Sequence, residues 1–432
     1  MRCKQIGLGC VLLTLAAFSA AAIQLPDFFA DSDGPFNPPA EAGDYYVDLG
    51  LATPIEAPDT WQTVAGNGNG VYDPAQWAVI FRFTEVNIPA HTNVRFKNNH
   101  ACAPVIWLVQ GNVTINGGDN PGQIILSGNN SAGQKFSLPG PGGFRGGRGR
   151  VSGNNASAGL GPGGGEPNQG ASFTTGTVVY SDEGCFPLIG GSGGGGYDKD
   201  VYNIYGGGAG GGAILIVAGG TISIDGSISA NGGSGYPYGD KPTSGGSGGM
   251  IRLVADTVTG GGGLYAQGGE DSSPGRIRIE AKNYEFAGGT DPLRSFAVAE
   301  DVPRLFRDDT TPRLTPTLLR RTEDPENPQM IPFDPRASLG GVADVQLPEE
   351  GIAELVVESE NVPPTSTVVA RMVRNSGEAV SVSPSESEPS VKEVPLRLVK
   401  TDGAKSTWSV ELDLKYGYSA LQVHAIFPEP ES

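Results

Sequence analysis

Two serines flanked by glycine are the first residues in this sequence whose surroundings suggest chemistry. Ser192 and Ser247 each lie in a G-x-S-x-G pattern, which in hydrolases presents a nucleophilic serine on a strained turn between a strand and a helix. No helical periodicity follows either serine, and a glycine-rich background produces this pattern freely. We therefore predict no catalytic role for them.

Charged residues recur on similar segments of the chain and form a second candidate set. They are Arg252, Arg276, Arg278, Asp225, Asp256 and Glu280. If these segments stack as strands, Arg252 aligns with Arg276 or Arg278. Stacked arginines and carboxylates act on uronic acids or glycosidic bonds in β-helical polysaccharide lyases and hydrolases. Opposite charges on an exterior sheet also form a solubilising ladder, which is the interpretation we favour.

Five tyrosines lie in glycine-rich stretches and are candidate ligand contacts: Tyr197, Tyr202, Tyr205, Tyr236 and Tyr238. Aromatic rings in exposed loops suit stacking on sugar rings. Packing against the edges of the repeats is the simpler explanation and stays open. The basic stretch "FRGGRGR" (144–150) is similar to RNA-binding RGG elements. We instead expect a solvated loop whose arginines pair with carboxylates, because the net charge of −18 disfavours nucleic acid as a partner.

The first 22 residues predict a secretory signal peptide. Arg2 and Lys4 precede an apolar run over 6–18 and the small residues of 19–22. No later run reaches about 18 apolar residues, so we expect no transmembrane helix in the mature chain. Cys102 and Cys185 remain after cleavage, and either one disulfide or two buried thiols fits them. Two cysteines and three histidines are too few for a common structural zinc site, and no metal or cofactor is predicted.

Glycine organises the rest of the chain, since 47 of the 67 glycines lie between Gly140 and Gly289. Dense β-branched segments alternate with them, at 105–117, 213–226, 250–260 and 276–289. A short strand with one apolar face needs copies stacked on it at about 4.8 Å, which predicts a parallel β-helix or related β-solenoid. The segment "AILIVA" (213–218) is apolar on both faces, so its outer side should also be covered. An antiparallel sandwich or barrel is the competing fold.

The complete prediction is an all-β chain. It comprises a signal peptide (1–22), an N-terminal β segment that caps the repeats (23–100), a glycine-rich β-solenoid (101–290), a Pro-rich linker (291–336) and an immunoglobulin-like β-sandwich (337–428). The long glycine tracts fit either loops or polyproline-II-like strands that approach closely, and the sequence does not decide between them.

Several stretches occur in an order that resembles a family of exported glycine-rich bacterial proteins. They include "YDPAQWAVIFRFTEVNIP", "APVIWLVQGNVTING", "LIGGSGGGG", "GGGAILIVAGGTISIDGSISANGG" and "GRIRIEA", within residues 66–290. The resemblance implies export, a bacterial source and a repetitive β-rich fold, and it carries no site residues. We therefore expect an exported structural or adhesive protein of the cell surface or extracellular space, with envelope or extracellular polysaccharide as its partner. A carbohydrate-active β-helix enzyme and a non-catalytic carbohydrate-binding module are the alternatives.

Overall fold

The computed structural model shows an all-β protein. It describes residues 32–40, 43–57, 60–131, 133, 135–150, 156–167, 184–197, 205–238, 241–242, 244–298, 303–322, 329–334, 344–347, 350–374, 391–415 and 417–428. Within these ranges, the only helical turns are two 3₁₀ turns, Leu49–Leu51 and Trp61–Thr63. The predicted signal peptide lies outside the described residues. None of the described helical segments is long and apolar enough to span a bilayer.

A ten-stranded sheet forms one side of the glycine-rich region, and we call it sheet A. Its strands are β1 (Gly34–Phe36), β3 (Thr53–Pro54), β4 (Val71–Asp73), β5 (Ala78–Ile88), β7 (Val105–Val109), β8 (Val113–Ile115), β10 (Ala213–Ile224), β14 (Met250–Gly260), β16 (Arg276–Phe286) and β18 (Ser295–Val298). The order β5-β7-β10-β14-β16-β18 is parallel throughout. Only β4 pairs in the antiparallel direction, with β5.

The register of sheet A aligns the repeated segments residue for residue. Ala213 pairs with Met250, which pairs with Arg276, and the same alignment continues to Ala218, Ala255 and Ala281. Loops of unequal length therefore separate strands that stack in one register, as the similarity of these segments predicted.

A second sheet, sheet B, has six strands, and its pairing is also parallel. They are β2 (Gly43–Asp48), β6 (Thr92–Lys97), β9 (Gln123–Ile125), β11 (Ser227–Ser229), β15 (Gly263–Tyr265) and β17 (Gly289–Asp291). Alternate residues of both sheets meet in one apolar cluster, for example Ile216, Leu253, Ile228 and Leu264, which are fully buried. Burial of each such side chain contributes about 1.5–3 kcal/mol, so stacking supplies the core that one strand lacks.

The outer face of sheet A is covered as well. Leu215, Val217 and Val254 form a second cluster with Trp61 and Leu305, which come from segments before and after the repeats. This confirms the expectation that "AILIVA" is buried on both faces.

The glycine tracts pack against one another with a three-residue period. Phe144 and Gly147 donate backbone hydrogen bonds to Gly191 and Gly194, and Gly208 and Gly211 donate to Ser244 and Ser247. A polyproline-II strand also repeats every three residues, so the period and the bonds between tracts favour the second of the two predicted alternatives. We call them the glycine bundle: 140–149, 156–165, 190–196, 206–212 and 244–249.

Two four-stranded antiparallel sheets make up the C-terminal part. One consists of β19 (Arg313–Arg321), β21 (Gly351–Glu360), β25 (Lys405–Leu414) and β24 (Arg397–Asp402), and the other of β20 (Val345–Leu347), β26 (Gly417–Ile426), β22 (Thr367–Arg374) and β23 (Val391–Pro395). They share one apolar core. Pro237–Tyr238 (β12) and Lys241–Pro242 (β13) form a separate two-stranded pair.

The structure differs from the predicted boundaries in two places. β5 and β6 already pair in parallel with β7 and β9, so parallel stacking begins inside the segment expected only to cap it. Residues 313–321, expected in a linker, form a strand that pairs with β21. Their proline, Pro316, lies at a register shift in this pairing, where the strand tolerates its missing N–H.

Arg371 joins the two parts of the chain. Its Nη1 donates to the carbonyl oxygen of Gly159 at 3.2 Å and its Nη2 to that of Gly164 at 2.9 Å. Nearby, Val373 and Ala420 belong to the same apolar cluster as Leu160 of the glycine bundle.

Candidate functional site

The candidate serines are buried inside the glycine bundle. Ser192 is fully buried and Ser247 is 3% exposed. The backbone N–H of Ser192 donates to the Ser247 hydroxyl at 2.7 Å, and the N–H of Gly163 donates to the Ser192 hydroxyl at 3.1 Å. Both hydroxyls therefore serve as hydrogen-bond acceptors for closely packed backbone.

Three members of the charged set, Arg252, Arg278 and Glu280, form a largely buried ion cluster in place of an exposed ladder. Arg252 pairs with Arg278 across the strands, one of the two predicted alignments. Nε of Arg252 lies 3.3 Å from Oε1 of Glu280 and Nη2 lies 3.2 Å from Oε2, while Nε of Arg278 is 3.1 Å from Oε1. Arg252 and Glu280 are each 4% exposed. The ladder expected on an exterior face is thus buried, because Trp61 and Leu305 cover sheet A.

The other members of that set lie elsewhere. Asp225 is exposed at a turn and accepts a hydrogen bond from the N–H of Gly261 at 3.1 Å. Asp256 is half-buried and Arg276 stacks beside Met250 at the start of its strand. Among the described residues, no group of three or more histidine, cysteine, aspartate or glutamate side chains is arranged to hold a metal ion.

The tyrosines that the structure describes are less exposed than rings in exposed loops would be. Tyr197 is 4% exposed. The rings of Tyr205 and Tyr236 stack on each other with centroids 3.8 Å apart. Tyr202 and the side chain of Tyr238 lie outside what the structure describes. Packing within the protein, the simpler of the two explanations, fits the three described rings.

Cys102 and Cys185 are both buried thiols that do not form a disulfide with each other. The Cys102 thiol lies 3.5 Å from the carbonyl oxygen of Gly143, and loss of solvent raises the pKa of Cys102 to about 12. This thiol stays protonated at neutral pH, so it is a poor nucleophile.

A surface groove of about 570 Å³ lies at the N-terminal end of sheet B, and we call it the sheet B groove. The register of β2, β6 and β9 sets Tyr46, Arg95 and Ile125 side by side on three adjacent strands. The segments that leave β6 and β9 extend the wall. Its lining residues are Tyr46, Arg95–His100, Ile125–Ser127, Asn129 and Leu138–Pro141.

Apolar and aromatic surface is available in this groove. Tyr46 and Leu138 are each 53% exposed. The ammonium group of Lys97 lies over the Tyr46 ring, 5.9 Å from its centroid. A ring held on a strand and accessible at its face can cover an apolar surface of a ligand while its hydroxyl stays in water.

The cations of the groove are neutralised locally. Nε of Arg95 lies 2.9 Å from Oδ1 of Asp44, and Nζ of Lys97 lies 3.7 Å from Oδ2 of Asp48. Hydrogen bonds from Arg95 and Asn93 lower the pKa of Asp44 below its usual value, which keeps this carboxylate ionised. The groove therefore presents polar groups with little net charge.

Two amide atoms in the groove wall have no hydrogen-bond partner within the described part of the chain. Asn98 donates from Nδ2 to the carbonyl oxygen of Pro139 at 2.9 Å, and Asn99 accepts at Oδ1 from the N–H of Ala103 at 2.9 Å. These bonds fix both amide orientations. Oδ1 of Asn98 and Nδ2 of Asn99 are left buried and unsatisfied. A hydroxyl group or a water molecule can donate to an unsatisfied acceptor or accept from an unsatisfied donor of this kind.

This groove is not apparent from the sequence, because its residues come from four separated stretches. The concentration of an aromatic ring, two cations and three polar side chains within 95–100 was the available signal. Comparison of the chain with family models, curated proteins and solved structures found no match.

Proposed function

We propose that this chain is an exported, non-catalytic adhesive protein that binds polysaccharide through the sheet B groove. The single observation that carries the proposal is the groove itself, which combines exposed Tyr46 and Leu138 with amide groups and little net charge. Sugars present apolar C–H faces and many hydroxyls, so a neutral polysaccharide matches both features.

The fold proposal is that sheets A and B and the glycine bundle are the three sides of a β-solenoid, followed by an immunoglobulin-like sandwich. The parallel register through six strands of sheet A and six of sheet B supports the first part. Two antiparallel sheets around one core support the second. A stack of this kind is rigid along its length, which suits a protein that holds a binding groove at a surface.

The alternative of a polysaccharide lyase or hydrolase needs arginines and carboxylates in an open cleft. Arg252 and Glu280 are instead buried against each other beneath sheet A's outer cover. This burial favours the non-catalytic proposal. The proposed export and surface location are supported separately, by the signal peptide that the N-terminal sequence predicts.

Affinity electrophoresis of the mature chain through gels that contain dextran, xyloglucan, pectate or alginate tests the function. We expect retardation by a neutral polysaccharide and a loss of affinity of about tenfold in Tyr46→Ala, equivalent to about 1.4 kcal/mol. Tyr265→Ala is the matched control, because Tyr265 is also exposed on sheet B but does not line the groove. The proposal is wrong if no polysaccharide retards the protein or if the two variants bind equally.

A further inference from the structure

The basic stretch 144–150 is placed unexpectedly. The sequence suggested a solvated loop, yet Arg145 is 3% exposed and Arg148 is 5% exposed. Both belong to a strand of the glycine bundle whose backbone bonds to neighbouring strands at Phe144 and Gly147. The arginines are therefore held in the interior by a rigid backbone.

The three-residue period sets the geometry of this pair. Residues three apart project from the same side of a polyproline-II strand, separated by about 9 Å. The guanidinium of Arg145 lies over the Phe136 ring, 4.5 Å from its centroid. The backbone of Arg148 is fixed by Ser157, whose hydroxyl accepts from the Arg148 N–H at 2.8 Å and whose N–H donates to the Arg148 carbonyl oxygen at 2.9 Å.

The guanidinium of Arg148 has no hydrogen-bond partner among the residues that the structure describes. Nε, Nη1 and Nη2 are all buried, and none makes a hydrogen bond. Loss of solvent lowers the pKa of Arg148 to about 10, which still leaves the group charged at neutral pH. An uncompensated charge in a protein interior is strongly unfavourable, whereas a planar fork of N–H donors matches the oxygens of a tetrahedral oxyanion.

We propose that Arg148 anchors a buried site for a small inorganic oxyanion, such as sulfate or phosphate, inside the glycine bundle. A polysaccharide carboxylate is a poorer candidate, because it would have to bring its sugar ring into the closely packed glycine bundle. The bound anion neutralises the guanidinium and satisfies its N–H groups. It is thus a structural ligand that stabilises the bundle, independent of the sheet B groove.

The test is thermal unfolding of the mature chain in sodium sulfate or sodium phosphate from 0 to about 20 mM, at ionic strength held constant with sodium chloride. Binding to the folded state alone raises the melting temperature with ligand concentration, and we expect a rise of about 3 °C or more. Arg148→Gln should lose this dependence. Arg150→Gln, which removes a half-buried arginine of the same stretch, should keep it.

Equilibrium dialysis of the unmodified chain with radiolabelled sulfate gives an answer that needs no variant, and we expect about one bound anion per chain. Three results would overturn the proposal. The first is equal sulfate dependence in the unmodified chain and Arg148→Gln. The second is destabilisation of Arg148→Gln with no sulfate dependence in the unmodified chain, which would mean that the arginine pairs within the protein. The third is stabilisation by galacturonate but by neither inorganic anion.

Discussion

Substitution of Gly210 by alanine perturbs the glycine bundle at a single backbone position. The N–H of Gly210 donates to the carbonyl oxygen of Phe144 at 2.9 Å, and its carbonyl oxygen accepts from Gly140 at 3.2 Å. A Cβ placed at Gly210 would overlap the carbonyl oxygen of Gly191. The strand must therefore move away from its neighbours, and both hydrogen bonds are lost or lengthened.

The magnitude follows from these contacts. Two backbone hydrogen bonds contribute about 1 kcal/mol each, and overpacking costs about 1–3 kcal/mol. We expect Gly210→Ala to lower the free energy of unfolding by about 3–5 kcal/mol. Urea unfolding followed by tryptophan fluorescence measures it, since Trp77 lies 6.3 Å from the Phe144 ring of the bundle, centroid to centroid.

Gly261→Ala is the control for this experiment. Gly261 is exposed, and a Cβ there would meet no atom within 4 Å. Its stability should change by no more than about 0.5 kcal/mol. If Gly210→Ala is as stable as Gly261→Ala, the glycine tracts are not closely packed and the structural reasoning fails.

Two further predictions concern ionisable groups. Glu280→Ala leaves the buried Arg252 without its carboxylate and should lower the free energy of unfolding in urea by about 3–5 kcal/mol. Glu285→Ala, at an exposed position on the same strand, should change this free energy little. Equal effects of the two substitutions would contradict a buried ion cluster. Burial lowers the pKa of His424 below 6.5, while Glu393 raises this pKa and Arg371 lowers it further. The unfolded chain therefore binds the proton more readily than the folded chain, and stability falls as the pH drops below about 6.5. Unfolding measured from pH 7 to 5 should show a shallower loss in His424→Asn, and an unchanged slope would refute this assignment.

The repeated strands of sheet A could be predicted because their chemistry is local. Alternating β-branched residues at 213–226 and 250–260 specify strands, and their likeness specifies the register. The same sequence also predicted that the outer face of this strand, which carries Leu215 and Val217, is buried. Strand β19 was missed because Pro316 and the charges around it favour a linker, and pairing with β21 overrides that preference.

The candidate sites depend on contacts that no local pattern encodes. Tyr46 and Leu138 line one groove although they lie far apart in the sequence, because the fold brings their segments to the same end of sheet B. Arg148 is buried, although its neighbours in the sequence indicate an exposed basic loop. The sequence likewise places Glu280 at the surface, because it does not show that the outer face of sheet A is covered.

Disulfide trapping between turns of the chain measures the stacking itself. Tyr265 pairs with Asp291 in adjacent strands of sheet B, and Ser229 lies one strand further away. Adjacent strands are about 4.8 Å apart, which a disulfide spans, whereas two intervals of about 10 Å in total exceed its reach. We expect Tyr265→Cys with Asp291→Cys to cross-link rapidly under mild oxidation, and Ser229→Cys with Asp291→Cys to remain reduced. Equal trapping of both pairs, or trapping of the distant pair alone, would contradict a parallel stack in this register.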